Sequence, residues 1–339
     1  MVLWDAGMSM SRHPGHARPQ SEDDRADALT APAAANFAPC EGEAGARAGG
    51  SAGGRPLVSL VIPCFNEPES YLEACFSSIT NQTYPDFEVL VIDESSDLSL
   101  AATCAALCAR DPRFHYLRPP RRIGLPASLN MGLAAARGAY IGRADADDVQ
   151  EPDRLASQVS FLERHPDIGV LGCALRAVDD RGDLRGIRSY PLTHRDIVRR
   201  MQVTNTMAGC GVMLRASVVR AHGEYDASFK AAEDLELWLR LIGRGVRFAN
   251  LAAPLVVYRQ ETTDRNAVNW RENLRARLRH FSGSDLPLRL LGLAIIAAWS
   301  LAPSFVRRGI YARTQLSRDG AARDGGGHEG GGHDRVDRG

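Results

Sequence analysis

Three carboxylates fall within four residues at Asp145-Ala-Asp147-Asp148, soon after the apolar run Gly138-Ala-Tyr-Ile-Gly142. A buried strand that ends by presenting acid at its tip is the simplest reading of that change. Like charges packed this closely repel, and a divalent cation between the protein and an anionic ligand relieves the repulsion. Asp145 and Asp147 are two apart, so in extended backbone they project to the same side, and Asp148 projects away.

Two other apolar runs end in polar residues. The first ends in Pro63-Cys-Phe-Asn66-Glu67 and the second in Asp93-Glu94-Ser95-Ser96-Asp97. Ligands of an open parallel sheet bind beyond the carboxyl ends of its strands, so three polar tips at one edge describe a binding crevice. Capping of the following helices explains Asn66, Ser95 and Asp97 equally well. It accounts for one acid of the 145–148 group, not for three. A further acidic pair, Glu233-Asp234, opens an apolar stretch far along the chain. Acids favour helix N-termini on electrostatic grounds alone, so that pair has a second explanation when taken by itself.

These tips need a frame to hold them. Residues 57–63, 87–92, 114–117 and 139–143 read as strands, with helices over 69–80, 98–110 and 125–137. Leu72, Cys75, Phe76 and Ile79 share one face of the first helix. Strand starts roughly 25 residues apart, with helices between them, mean right-handed βαβ units and a parallel sheet. The pattern then loosens. A helix over 152–164 precedes strands over 168–178 and 184–190, joined by the turn Asp179-Asp-Arg-Gly-Asp183. A short helix over 194–201, a strand over 211–214, helices from Ala216 and over 233–242, and late strands over 246–249 and 254–258 follow. The expected class is α/β, a mostly parallel sheet flanked by helices, with an antiparallel addition in the second half and helices at the C-terminus.

The chain has 339 residues, 44% hydrophobic and 24% charged, with a formal net charge of zero. That composition is globular and carries no global basic footprint for nucleic acid. Lys230 is the single lysine; all other basic charge is arginine. The cysteines at 40, 64, 75, 104, 108, 173 and 210 are odd in number and form no Cys-x-x-Cys pair. A disulfide framework or structural zinc site is not indicated, and a reducing cytoplasm fits best. No secretory signal pattern opens the chain. Residues 1–55 and 313–339 lack apolar periodicity and read as disordered tails, which leaves a folded domain over 56–260 and basic and apolar helices over 261–312.

The motifs together resemble family 2 glycosyltransferases of the GT-A, Rossmann-like fold. The resemblance runs from about Pro56 to Arg259. It rests on Val58-Ser-Leu-Val-Ile-Pro-Cys-Phe-Asn-Glu67, Ser78-Ile-Thr-Asn-Gln-Thr-Tyr-Pro-Asp-Phe-Glu88, Gly124-Leu-Pro-Ala-Ser-Leu-Asn-Met-Gly132, Gly138-Ala-Tyr-Ile141, Asp145-Ala-Asp147 and Ala232-Glu-Asp-Leu-Glu-Leu-Trp-Leu-Arg240, in family order. The resemblance implies an inverting enzyme that uses a nucleoside-diphosphate sugar. Pro63, Asn66, Glu67, Asp93 and Asp145 would line the donor site, with Asp93 accepting from the nucleotide base. Asp145 and Asp147 would hold Mg²⁺ or Mn²⁺ on the diphosphate. Asp234 would be the base that deprotonates the acceptor hydroxyl, and Glu233 would orient it or bind acceptor. Asp148 is left to cap the turn. Two departures stand out: Ile92 and Glu94 flank Asp93 where the family has a paired acid and a small residue, and Ala208-Gly-Cys-Gly211 lacks the family's His-Pro pair.

Arg271, Arg275, Arg277 and Arg279 stud a predicted helix, and residues 290–306 form an apolar run bounded by Arg289 and Arg307-Arg308. Such a run is at the lower limit for spanning a bilayer, and Pro303 shortens it. Three readings stand: a helix on the cytoplasmic membrane face, a helix packed on the domain, or a span. The first suits a cytoplasmic protein held peripherally at the membrane and a glycan or lipid-linked acceptor. Two rival functions are a nucleotidyltransferase and a non-catalytic nucleotide-sugar-binding protein. The former usually needs a Gly-rich basic loop that Cys64-Phe-Asn-Glu67 does not provide.

Overall fold

The computed structural model describes residues 57–260, 267–281 and 285–302. The expected tails, and residues 303–306 of the apolar run, lie outside these. In chain order the elements are β1 Val58–Cys64, α1 Glu69–Thr80, β2 Phe87–Asp93, α2 Leu98–Cys108, β3 Phe114–Leu117, α3 Leu125–Ala135, β4 Tyr140–Arg143, β5 Val149–Gln150 and α4 Arg154–Arg164. Then come β6 Ile168–Val178, β7 Leu184–Arg188, α5 His194–Met201, a 3-10 turn Gly209–Gly211, β8 Met213–Arg215, α6 Ala216–His222, α7 Glu233–Gly243, β9 Arg247–Arg259, α8 Ala267–Arg279 and α9 Leu286–Leu301.

The strands form one sheet in the order β3-β2-β1-β4-β8-β6-β9-β5, with β7 beside β6. The first four are mutually parallel, as the βαβ spacing requires. Their carboxyl ends, Cys64, Asp93 and Arg143, therefore meet at one edge. β8 runs antiparallel to both β4 and β6 and inserts the second half of the chain into the sheet. β6 and β9 pair in parallel, and β5 and β7 add antiparallel edges.

Alternation along the strands builds two cores. Val58, Leu60 and Ile62 of β1 join Phe87, Val89 and Val91 of β2 on the face covered by α1, α2 and α4. Val61, Leu90 and Ile92 point the other way, under α3, α5 and α7. The period of two divides each strand between opposite faces, which is why these runs are mostly apolar, with Ser59 and Glu88 buried as a hydrogen-bonded pair.

Two sequence expectations change. The late strands 246–249 and 254–258 are one strand, β9. Pro254 suggests a break, but it lies where the β6–β9 register shifts at Ala174, a bulge that tolerates the missing N–H. The 145–148 segment is not extended: Asp148 N–H donates to the Asp145 carbonyl at 3.2 Å, closing a tight turn.

The C-terminal helices pack onto the domain. His280, just after α8, meets Glu236 of α7 at 2.9 Å. Buried Arg277 donates to the Met201 carbonyl at 2.5 Å. Trp270 and Trp299 meet edge-on, tying α9 to α8 at 5.9 Å between ring centroids. Gly292 of α9 crosses Gln202 so closely that a Cβ there would lie 1.9 Å from the Gln202 carbonyl oxygen.

Candidate active site

Each carboxyl-end loop is fixed by its neighbour. Asn66 adopts φ 61°, a left-handed conformation that asparagine tolerates. Its backbone N–H donates to Ser95 Oγ at 2.8 Å and its Nδ2 to Ser96 Oγ at 2.9 Å. Its Oδ1 accepts from Asp97 N–H at 3.0 Å. Asn66 thus joins the β1 and β2 loops. Pro63 sits within β1 opposite Ile92, and buried Glu67 accepts from Phe65 N–H at 2.5 Å.

Asp93, fully buried at the tip of β2, accepts from Ser95 N–H, from the Tyr116 hydroxyl at 2.6 Å and from Arg118 Nη1 at 2.8 Å. The departure at Glu94 also has a physical account. Its carboxylate accepts from Ile123 N–H, Gly124 N–H and Ser128 Oγ, which ties the entry to α3 to the tip of β2. Asp97 caps α2 by accepting from Ser99 and Leu100 N–H.

The turn after β4 reverses the expectation for its acids. Asp145 and Asp148 face each other, and one ligand atom from each, with Cys210 Sγ, lies within 4.8 Å of the others. Asp147 is half-buried. The i-to-i+3 hydrogen bond curls the backbone, so the period of two does not apply. Asp148 Oδ1 accepts from Arg259 N–H at 3.0 Å, which ties the turn to β9. Its Oδ2 has no nitrogen or oxygen donor among the described residues, and the Cys210 thiol shares the carboxyl. Burial, then the charges of Asp147 and Asp145, raise the Asp148 carboxyl well above its ordinary range.

Arg143 organises the centre. Its Nε donates to Asp145 Oδ1 at 2.9 Å and its Nη1 to Glu233 Oε1 at 3.4 Å. Glu233 and Asp234 open α7, and both are fully buried. Asp234 Oδ2 accepts from Asn205 Nδ2 at 3.0 Å, and its Oδ1 accepts from Leu235 N–H. Burial first, then the Glu233 charge, push the Asp234 carboxyl well above the aspartate range. The stretch without a His-Pro pair presses Gly209 between Arg143 and Asp234.

Asp145, Asp148, Glu233 and Asp234 are all buried, and the Arg143 guanidinium touches two of them, Asp145 and Glu233. The Asp148 oxygen that meets no nitrogen or oxygen donor among the described residues, with Asp145 beside it, offers hard carboxylate ligands that fit a divalent cation. Cys210 does not compete as a thiolate, because burial and Asp148 hold its thiol well above the usual range.

A family profile described as Glycosyl transferase family 2 matches residues 59–223. The amylovoran biosynthesis glycosyltransferase AmsE of Erwinia amylovora is 31% identical over 60% of this chain and 76% of its own length. The chain belongs to glycosyl transferase family 2. The O-antigen biosynthesis glycosyltransferase WbnJ of Escherichia coli is 28% identical, covering 65% of this chain and 87% of WbnJ. Among solved structures, the mannosyltransferase PcManGT of Pyrobaculum calidifontis, in complex with GDP-Man and Mn²⁺, superposes with TM-score 0.54 at 20% identity, over 81% of this chain and 77% of that one. The fold is therefore GT-A, and the protein is a glycosyltransferase rather than a nucleotidyltransferase or a non-catalytic binder.

Sequence reasoning missed Arg143 and Asn205 as partners of these acids. Arg143 had a signal: an arginine inside a buried strand must find a partner, and an acid stands two residues on.

Proposed function

We propose that this family 2 enzyme is an inverting glycosyltransferase that moves a sugar from a nucleoside-diphosphate sugar to an acceptor hydroxyl in cell-surface glycan assembly. One juxtaposition carries the reading: a single guanidinium, that of Arg143, touches Asp145 at the strand-tip cluster and Glu233 beside Asp234. The cluster and the acidic pair, remote in sequence, are one site.

In this reading Pro63, Asn66, Glu67 and Asp93 shape the nucleotide end of the donor pocket. Asp145 and Asp147 would hold Mg²⁺ or Mn²⁺, which when bound would supply positive charge to the diphosphate leaving group. Asp234 takes the proton from the acceptor oxygen as that oxygen bonds to the anomeric carbon and the bond to phosphate breaks. A single displacement inverts the carbon. Asp234 is fully buried and accepts from Asn205 Nδ2, so the site has to open before an acceptor hydroxyl reaches it.

Release of nucleoside diphosphate from a panel of UDP, GDP and dTDP sugars, with and without Mn²⁺, tests the reading. The expected result is release from one donor class, dependent on the cation. No release from any of them, with an acceptor extract present, counts against it.

The acceptor side of the proposal includes a membrane surface. No described helix is long and apolar enough to cross a membrane. The outward positions of α9, Leu286, Pro287, Leu290, Leu291, Ala294, Ala298 and Leu301, are all exposed and all apolar. Solvent-facing helix positions are normally polar, so this face suits a low-dielectric partner. Exposed Arg199 and Arg200 end α5, just before the Gln202 carbonyl that α9 crosses, and exposed Arg271, Arg275 and Arg279 line α8. An apolar stripe among arginines favours an anionic bilayer surface. Co-sedimentation with phosphatidylglycerol vesicles should fall sharply when Leu290 and Leu291 become glutamate; unchanged co-sedimentation would sink the membrane reading.

A further inference from the structure

Arg143 is the last residue of β4 and is only 3% exposed. An arginine buried so deeply is costly unless its guanidinium is matched on every side. The matches come from separate stretches of the chain: Asp145 after β4, Glu233 at the start of α7, and the Tyr225 hydroxyl from the α6–α7 connection. The Gly209 turn closes the remaining side, where a Cβ would lie 3.1 Å from Nη1.

The partners are themselves fixed. Tyr225 N–H donates to Asn130 Oδ1 at 2.9 Å, and Asn130 Nδ2 donates back to the Tyr225 carbonyl at 2.8 Å. At the start of α7, Ala232 holds φ 57°, a left-handed conformation unfavourable for a residue with a Cβ. A contact reaching α7 from the sheet helps to hold its first turn against that strain. The Arg143–Glu233 pair is such a contact.

We infer that Arg143 is a positioning residue, whose planar guanidinium sets the spacing between the Asp145 end of the donor site and the Glu233-Asp234 start of α7. The inference rests on the functional reading above. A lysine keeps the charge but not the fork, and a single ammonium cannot serve both carboxylates with the same geometry.

The test compares Arg143→Lys, Glu233→Gln and the double variant by steady-state kinetics on the donor that the wild type uses. Each single variant should lower kcat roughly 10- to 100-fold, because small misplacement of reacting groups is costly. Donor KM should move less than about threefold. The double variant should fall no further than the worse single one, since both break one link. An arginine that serves only folding would lower the melting temperature, leave kcat per folded molecule unchanged and give effects that multiply. If Arg143→Lys does not fold, Glu233→Gln, which keeps the arginine and the volume, must still show the loss. Single variants with wild-type kcat overturn the inference and leave the functional reading standing. A wild type that transfers from no nucleotide sugar overturns both.

Discussion

Replacing Asp234 by asparagine should lower turnover about 10³-fold, within the range that a positioned general base contributes, while donor binding stays near wild type. Asparagine matches aspartate in shape and can still meet Asn205, so the fold should survive. What it lacks is an oxygen able to hold the acceptor proton. The pH profile supplies a second readout. Burial and the neighbouring Glu233 raise the Asp234 carboxyl, and the working form is the ionised one. Activity should therefore fall as pH drops through that raised value, with the acid limb above the ordinary 3.8 of aspartate. Steady-state kinetics across pH, with calorimetry of donor binding, checks both. Full turnover by Asp234→Asn would remove the base assignment.

Asp147→Ala should weaken cation-dependent donor binding by roughly 100-fold, since losing a ligand to the charge-neutralising cation costs several kcal/mol. Among the acids of the turn, Asp147 is the half-buried one, whereas Asp145 is held by Arg143 and Asp148 is tied to β9 through Arg259 N–H. The substitution should leave the fold intact and remove the difference between titrations with and without Mn²⁺. Retention of a wild-type Mn²⁺ effect would mean that the cation, if used, is held elsewhere.

Most of the frame was legible in the residues. The apolar runs of β1 and β2 and the facing residues of α1 fall where periodicity puts them, because burial on both faces of a parallel sheet leaves little choice of residue. The meeting of three strand tips at one edge followed from those runs being parallel. The β9 strand was less legible. Proline usually ends a strand, and only the bulge against β6 shows how Pro254 stays within one. The orientation of Asp148 was misread for a related reason: the period of two describes extended chain, and the backbone there turns.

Local pattern was enough to establish the strand-helix order, the acids at three strand tips and the acidic start of α7, since hydrophobic periodicity and charge are properties of neighbouring residues. Which acid meets which partner was decided only by the tertiary structure. Arg143, Tyr225, Gly209 and Glu233 come from separate stretches of chain. They meet because β8 returns antiparallel beside β4 and brings the second half of the chain to the same edge. Contacts of that kind are set by how faces pack, a long-range property that the spacing along one strand does not carry.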